Sequence, residues 1–174
     1  MKVVVLSGPE STGKSWLATE LQRHFGGQRV SEYVREYVDQ IQRDTRYDDV
    51  PLIAREQLHR EDAARQQQPA LLILDTNLLS NLLWSRTLFG HAPDWLEAAL
   101  LARRYDTYLL LSPEGVPWVG DGQRSQPDLD ERLTFHYACR QWLATHDQPV
   151  IEVGGDWAER QAAAFATVEQ LLDR

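Results

Sequence analysis

The sequence predicts an α/β protein in which a five-stranded parallel sheet is covered by helices on both faces. Two observations lead to this prediction. Five short apolar runs alternate along the chain with segments whose apolar residues recur at helical spacing. A glycine-rich loop follows the first apolar run directly, which is typical of a strand-to-helix turn in such a sheet. Since no linker or internal repeat divides the chain, we predict a single domain over residues 1–174.

The predicted strands are runs rich in valine, leucine and isoleucine. KVVVLS, near the N-terminus, is apolar almost throughout, as expected of a strand buried on both faces. ALLILD is the clearest of the remaining runs, and it ends on an acidic residue. In chain order the predicted strands are 2–7, 28–33, 70–75, 105–111 and 149–154.

The predicted helices are marked by periodicity and by their end signals. Leu17, Leu21 and Phe25 recur at helical spacing before Gly26, which is typical of a helix end. Pro51 suits the first turn of another helix, and Asp156 followed by Glu159 predicts a capping-box start for the last one. The predicted helices are 14–25, 34–41, 51–68, 76–88, 93–104 and one that begins at 156.

The motif GPESTGKS, from Gly8 to Ser15, matches the phosphate-loop pattern G-x4-G-K-[ST] in full. Glycines let successive backbone N–H groups turn inward around an anion, and the following helix presents its positive end to the same anion. Lys14 is placed to reach the β- and γ-phosphates, and Ser15 to hold Mg²⁺. The motif therefore predicts the P-loop NTPase fold with ATP and Mg²⁺ as ligands. The residues predicted to contact the nucleotide here are Gly8, Glu10, Ser11, Thr12, Gly13, Lys14, Ser15 and Trp16.

Asp75 ends the ALLILD strand, where a second acidic residue of this nucleotide-binding class lies beside Mg²⁺. We predict that Asp75 is a catalytic residue and a metal ligand. The alternative is that Asp75 caps the next helix, with Thr76 sharing that role.

Composition excludes several classes of function. A net charge of −8 argues against nucleic acid as the main partner. No apolar stretch approaches the roughly 20 residues that a membrane span requires, and the N-terminal apolar run is too short for a signal peptide. The single cysteine excludes an intramolecular disulfide. These observations predict a cytoplasmic protein with a small-molecule partner, and they leave its oligomeric state open.

The remaining P-loop classes fit the sequence less well than a small kinase. A guanine-specific switch needs an Asn-Lys-x-Asp motif, but no lysine follows Lys14. The His-Arg-Asp and Asp-Phe-Gly signatures of protein kinases are missing, and a ring-forming motor would need a further helical domain. We therefore predict an ATP-dependent phosphotransferase acting on a small molecule. The alternative from another class is a nucleotide-binding regulator that hydrolyses ATP slowly.

A kinase also needs a base, an acceptor pocket and cationic groups over the γ-phosphate. SEYVREY places Glu32, Arg35 and Glu36 after the second strand, at the sheet edge where ligands bind. We predict Glu32 as a catalytic residue. The alternative is a solvated helix start whose acids pair with arginine at i,i+3 or i,i+4 spacing.

The irregular segment 112–132 contains three glycines and three prolines and is predicted to form a lid, unless it is simply a loop. Arg124 and Arg132 could close over the triphosphate, with Arg124 as a catalytic and nucleotide-binding residue. Alternatively both are surface arginines, and Arg132 forms a helical salt bridge. Trp118 and Asp121 offer an aromatic face and a carboxylate to a flat, positively charged ligand, although tryptophans more often pack.

Four motifs together resemble the ribosylnicotinamide kinase domain of NadR-type proteins: GPESTGKS, SEYVREY, DTN at 75–77 and WVGDGQRS at 118–125. The resemblance covers nearly the whole chain. It implies ATP-dependent phosphorylation of the 5′-hydroxyl of nicotinamide riboside, which gives nicotinamide mononucleotide in NAD salvage. It also implies substrate-side roles for Glu32, Tyr33, Arg35, Glu36, Asn77, Trp118 and Asp121, and a place for Arg124 in the closing segment.

The sequence departs from this family pattern at two points. Ser31 stands where an aromatic residue is expected before the Glu-Tyr pair, so thiamine or a common nucleoside stays open as the acceptor. The H-x-G-H motif of an adenylyltransferase domain and a DNA-binding module are both missing from these 174 residues. We therefore expect this chain to make the mononucleotide but not NAD itself.

Overall fold

In a computed structural model, which describes residues 1–120 and 126–174, five strands form one sheet with all pairings parallel. The spatial order is β2-β3-β1-β4-β5, so the strand that leads into the phosphate loop is central. This confirms the predicted five-stranded α/β fold. The strands are β1 Lys2–Ser7, β2 Gln28–Val30, β3 Leu71–Asp75, β4 Thr107–Leu111 and β5 Val150–Val153.

The helices lie between the strands, and a short 3₁₀ turn, Tyr47–Asp49, precedes the third of them. The second predicted strand is shorter than expected, because Tyr33 already begins a helix. The helices are α1 Lys14–Phe25, α2 Tyr33–Ile41, α3 Val50–Gln66, α4 Leu78–Phe89, α5 Asp94–Leu101, α6 Leu129–Thr145 and α7 Trp157–Leu172.

Each face of the sheet has its own apolar core, because successive strand residues point to opposite faces. On one face Val4 and Leu6 of β1 pack with residues of α1 and α7. On the other face Val3 and Val5 pack with residues of α3, α4, α5 and α6. With β1 in the middle and helices on both sides, the loop after β1 lies at the centre of the sheet's carboxyl edge.

Two helix starts differ from the predictions. Asn77 caps α4, since its Oδ1 accepts from the Leu79 N–H at 3.1 Å, so the cap is neither Asp75 nor Thr76. Asp128 caps α6, so residues 129–132 of the predicted lid belong to the first turn of a helix. The predicted capping box at the start of α7 is confirmed by reciprocal bonds between Asp156 and Glu159.

Within residues 1–120 and 126–174, none of the helices is both long enough and apolar enough to cross a membrane.

Candidate active site

The phosphate loop leaves β1 and turns back over the carboxyl edge of the sheet. Gly8 has φ +129°, and a Cβ there would lie 2.6 Å from the carbonyl oxygen of Leu111, at the end of β4. Gly13, just before α1, is left-handed with φ +87°. Both positions require glycine, because an added side chain would meet neighbouring atoms in a strained backbone conformation. The loop is therefore held closely against the sheet.

Lys14 points into the curl of this loop. Its Nζ donates to the carbonyl oxygens of Gly8 at 3.0 Å and Pro9 at 2.6 Å. Burial lowers the pKa of Lys14, while the negative charges of Glu32 and Asp75 oppose that shift. The ammonium group is thus set among carboxylates and loop carbonyls at the place where a phosphate loop holds its anion.

Three further predicted loop residues have identified neighbours. Thr12 is buried, and its hydroxyl donates to the Pro9 carbonyl at 3.0 Å, which stabilises the turn. Ser15 and Trp16 form the first turn of α1, and the Trp16 ring packs edge-to-face on Trp157 with centroids 5.2 Å apart.

Glu10 and Ser11 connect the phosphate loop to the segment that follows β4. Glu10 Oε1 accepts from Trp118 Nε1 at 2.8 Å and from the Gln126 N–H at 2.7 Å. Ser11 Oγ accepts from the Val119 N–H at 2.9 Å. Trp118, Val119 and Gln126, three residues within the predicted lid, are thereby anchored on the loop. Asp121 and Arg124, which were also predicted to belong to this site, lie outside the described residues.

Two carboxylates lie near Lys14, of which Asp75 is buried and Glu32 is half-buried. Asp75 is 2% exposed, and its Oδ1 has no hydrogen-bond partner among the described residues. The Glu32 side chain is 15% exposed, and Arg35 Nε donates to its Oε2 at 3.2 Å. Burial raises the pKa of Glu32, Lys14 lowers it, and Asp75 raises it further. Glu32 is therefore a more basic carboxylate than one on the surface.

Ser15 and Asp75 suit Mg²⁺ that arrives with a nucleotide. The unpaired Asp75 Oδ1 is an oxygen ligand of the kind that Mg²⁺ prefers. Outside residues 121–125, no group of three or more histidine, cysteine or acidic side chains could hold a metal ion. One carboxylate and one hydroxyl fit an ion whose other ligands are phosphate oxygens and water, rather than a resident metal.

A cavity opens beside the loop between α2, α3 and α4. Its charged lining residues are Glu10, Lys14, Glu32 and Arg35. The other lining residues are mostly apolar, with uncharged polar side chains among them. They are Val34, Val38, Val50, Ile53, Gln57, Thr76, Ser80, Asn81, Trp84, Ser85, Leu88 and Phe89.

The α4 wall of this cavity contains the site residues that sequence reasoning missed. Trp84 stacks on Phe135 of α6 with centroids 4.3 Å apart and planes 25° apart, and it also lines the cavity. Asn81 Oδ1 is buried without a hydrogen-bond partner in the described part of the chain. The leucines of α4 dominated the sequence pattern, although Ser80, Asn81 and Ser85 interrupting that apolar helix were an available signal.

Three predicted substrate-side residues make other contacts. Glu36 forms two bonds with Arg60, at 2.6 and 2.8 Å, and Arg60 also covers the Tyr33 ring at 4.4 Å. Asn77 is buried, with its amide nitrogen donating to the Tyr108 hydroxyl at 3.0 Å. The structure therefore brings Glu32 and Arg35 to the cavity lining, while these three residues hold α2, α3, α4 and β4 together.

Arg132 is buried rather than at the surface. It is 4% exposed, and its Nε and Nη1 have no hydrogen-bond partner among residues 1–120 and 126–174. One turn further along α6, His136 Nδ1 lies 3.2 Å from the Leu111 carbonyl oxygen at the end of β4. Arg132 therefore lies beyond the strand ends, on the phosphate-loop side of the sheet. The alternative of a helical salt bridge on the surface is wrong.

Comparisons with known proteins agree with this geometry. The family model described as "AAA domain" matches residues 3–160. The trifunctional NAD biosynthesis/regulator protein NadR of Escherichia coli (strain K12) is 28% identical over 159 residues, which cover 88% of this chain. NadR of Salmonella typhimurium (strain LT2) shows the same values. The chain spans 38% of the length of each of these curated relatives.

Solved structures show the same fold. A crystal structure of NadR in complex with NR superposes with a TM-score of 0.76 at 23% identity, covering 97% of this chain and 51% of that one. The deoxyadenosine kinase of M. mycoides with bound dATP gives a TM-score of 0.65 at 16% identity, covering 97% and 100%. From the family match we conclude that the chain belongs to the AAA-domain family, and it shares its P-loop fold with NadR, to which it is similar in sequence.

Proposed function

We propose that this protein is an ATP-dependent kinase that transfers the γ-phosphoryl group to the 5′-hydroxyl of nicotinamide riboside. The observation that carries the proposal is the position of Glu32. This half-buried carboxylate lines the same cavity as Lys14, and desolvation raises its pKa. The proposed base, the lysine of the phosphate loop and a cavity for the acceptor therefore lie side by side, as phosphoryl transfer requires.

Glu32 acts as the general base in this proposal. It takes the proton of the acceptor hydroxyl while the hydroxyl oxygen bonds to the γ-phosphorus and the bond to the ADP oxygen breaks. A carboxylate whose pKa is raised by burial accepts a proton more readily near neutral pH. Lys14 and Arg132 offset the negative charge of the transferring group. Arg124 has the same proposed role.

Ser15 and Asp75 would hold the Mg²⁺ that accompanies ATP. Bound there, the ion would neutralise charge on the β- and γ-phosphate oxygens. The buried, unpaired Asp75 Oδ1 supports this assignment, because a buried carboxylate oxygen without a partner is costly unless a ligand satisfies it.

The proposed acceptor is supported by the chemistry of the cavity. Trp84 offers a flat aromatic face to a flat cationic ring, and the buried Asn81 Oδ1 suits an N–H donor such as a carboxamide. The aromatic wall thus comes from α4, although Ser31 stands where the family pattern has an aromatic residue. The crystal structure of NadR in complex with NR supports the same acceptor.

A nucleoside is the second candidate acceptor. The shared fold with a deoxyadenosine kinase favours it, since an aromatic wall and an unpaired amide oxygen also suit a nucleobase. The substrate-side roles of Tyr33, Glu36, Asn77, Trp118 and Asp121 remain predictions of the resemblance.

The test is release of ADP from Mg·ATP by the purified protein with one acceptor at a time. The acceptors are nicotinamide riboside, nicotinic acid riboside, thiamine, common nucleosides and none, with Lys14→Ala as the blank. We expect strong stimulation by nicotinamide riboside and little by nicotinic acid riboside, whose carboxylate offers Asn81 no donor. Stimulation by another acceptor alone would mean that the protein is a kinase for that acceptor and not for nicotinamide riboside. Slow release that no acceptor changes would overturn the kinase and favour an ATP-hydrolysing regulator.

A further inference from the structure

The turn between β3 and α4 contains a strained residue, Thr76. Its φ is +69°, in the left-handed region where a β-branched side chain is crowded. The other described residues with positive φ that are not glycine are Ser11, Gln42, Gln68 and Asp147, and none of these is β-branched. Glycine would adopt the conformation without strain. Strain of this kind is common where a side chain serves a ligand site.

Inside the protein, Thr76 bonds through its backbone and not through its hydroxyl group. Its N–H donates to the Leu6 carbonyl oxygen at 3.2 Å, a bond that almost any residue can make. The cap of α4 is supplied by Asn77. Within residues 1–120 and 126–174, the Thr76 hydroxyl has no hydrogen-bond partner. Because Thr76 is buried and lines the acceptor cavity, a ligand in that cavity is the partner available to the hydroxyl.

Thr76 lies between the groups proposed for the donor and those proposed for the acceptor ring. Asp75, the proposed Mg²⁺ ligand, precedes it directly, while Asn81 and Trp84 follow it on the α4 wall of the cavity. An acceptor whose 5′-hydroxyl lies at Glu32 and whose ring lies at Trp84 must place its sugar between them. The part of the acceptor expected beside Thr76 is therefore the ribose.

We propose that the Thr76 hydroxyl binds the 2′- or 3′-hydroxyl of the acceptor ribose and makes the protein select ribosides over deoxyribosides. A threonine hydroxyl both donates and accepts, so it can pair with a sugar hydroxyl in either sense. An acceptor that lacks this hydroxyl leaves the Thr76 hydroxyl unpaired in a buried site, which is costly. This inference rests on the proposed function and adds a residue that determines specificity for the sugar.

The first test is a double-mutant cycle with one change in the protein and one in the acceptor. We measure kcat/KM for nicotinamide riboside and its 2′-deoxy and 3′-deoxy forms, with the unaltered protein and with Thr76→Val, which keeps the shape but lacks the hydroxyl. Removing the bound hydroxyl from either partner should lower kcat/KM about 10- to 100-fold. Removing it from both should lower kcat/KM little further. Thr76→Ser should restore most of the activity.

The second test separates a ligand contact from a structural role. Thr76→Gly relieves the strain and removes the hydroxyl, so the melting temperature should hold or rise while kcat/KM falls as in Thr76→Val. Gln68→Gly is the matched control, because Gln68 is exposed, has φ +49° and lies just before β3, at the opposite edge of the sheet. Its turnover should equal that of the unaltered protein.

The outcomes separate this inference from the proposed function. Losses that multiply in the cycle for both deoxy forms would overturn Thr76 as the ribose contact and leave the kinase proposal intact. A lower melting temperature in Thr76→Gly, with normal turnover per folded molecule, would make Thr76 purely structural. Failure of the unaltered protein to phosphorylate any riboside would overturn the proposed function and this inference with it.

Discussion

The phosphate loop and the acceptor cavity meet at Lys14, but they are built in different ways. The loop consists of consecutive residues, Gly8 to Ser15, and its shape depends on backbone geometry at two glycines. The cavity is assembled from side chains of α2, α3 and α4, which are far apart in the sequence. A site made of backbone leaves a compact motif in the sequence, whereas a site made of packed helices does not.

The two regions also differ in the kind of interaction they offer. The loop side presents Lys14, Ser15 and Asp75, which suit phosphate and Mg²⁺. The α4 wall of the cavity presents Trp84 and Asn81 among apolar side chains, which suit a flat ring with a polar substituent. Glu32 lies at the boundary, so substitutions on either side should affect different kinetic parameters.

The largest effect is expected from Glu32→Gln, which changes the residue between the phosphate loop and the acceptor cavity. Loss of the general base should lower kcat about 10²- to 10⁴-fold with little change in Kd for ATP. Glu152→Gln is the matched control, because Glu152 is an exposed glutamate that pairs with Arg140. Steady-state kinetics and ATP titration check both variants. Equal loss of turnover and of ATP affinity in Glu32→Gln would contradict the role as a base.

Arg132→Met tests whether the donor side includes α6. Removing a cation that stabilises the transferring phosphoryl group should lower kcat about 10²- to 10³-fold. The melting temperature should hold or rise, because Arg132 is buried and its Nε and Nη1 have no partners in the described chain. Arg140→Met, at an exposed arginine paired with Glu152, should leave turnover unchanged. A large drop in melting temperature with normal turnover per folded molecule would make Arg132 purely structural.

Trp84→Ala tests the acceptor side alone. Loss of the aromatic wall should raise KM for nicotinamide riboside about tenfold and leave KM for ATP unchanged. Trp84→Phe keeps an aromatic ring against Phe135 and should recover most of the loss, which separates ring contact from general damage to packing. Parallel rises in both KM values would mean that the two regions are not independent.

The smallest effect is a displacement of the pH profile. Glu32 must be ionised to act as a base, so activity falls as the pH drops through its pKa. Burial raises that pKa, so the acid limb of kcat/KM should lie above the ordinary glutamate value of 4.5. The profile of Glu152→Gln should show the same limb. An acid limb at or below 4.5 would show that Glu32 is not the titrating base.

The fold and the donor side could be predicted because their signals are local. Valine-rich strands, the glycine after α1 and the Asp156 capping box each act within a few residues. The first strand, the phosphate loop and the start of α1 are consecutive in the sequence, so one motif predicts all three. The bond between Asn77 and the Tyr108 hydroxyl had no such local signal, because it joins β4 to a residue about thirty positions earlier in the chain.

Helix α6 and the cavity wall on α4 could not be predicted from local sequence signals. The buried face of α6 includes Arg132 and His136 beside Phe135 and Cys139, so polar residues interrupt the apolar period that marks a helix. Trp84 follows leucines at helical spacing, which is typical of a core position, and nothing local shows that one side of α4 faces a cavity. Such positions can be recognised as cavity-lining only from the packing of the surrounding helices in the structure.

The central claim is that donor and acceptor meet at Glu32 within one site. Its most direct test is a single turnover of enzyme, Mg·ATP and nicotinamide riboside, with the products identified by ³¹P NMR. The account predicts a phosphate monoester on the 5′-carbon of the riboside together with ADP, and its loss in Glu32→Gln. Inorganic phosphate and ADP with unmodified riboside would contradict it, because the γ-phosphoryl group would then have gone to water.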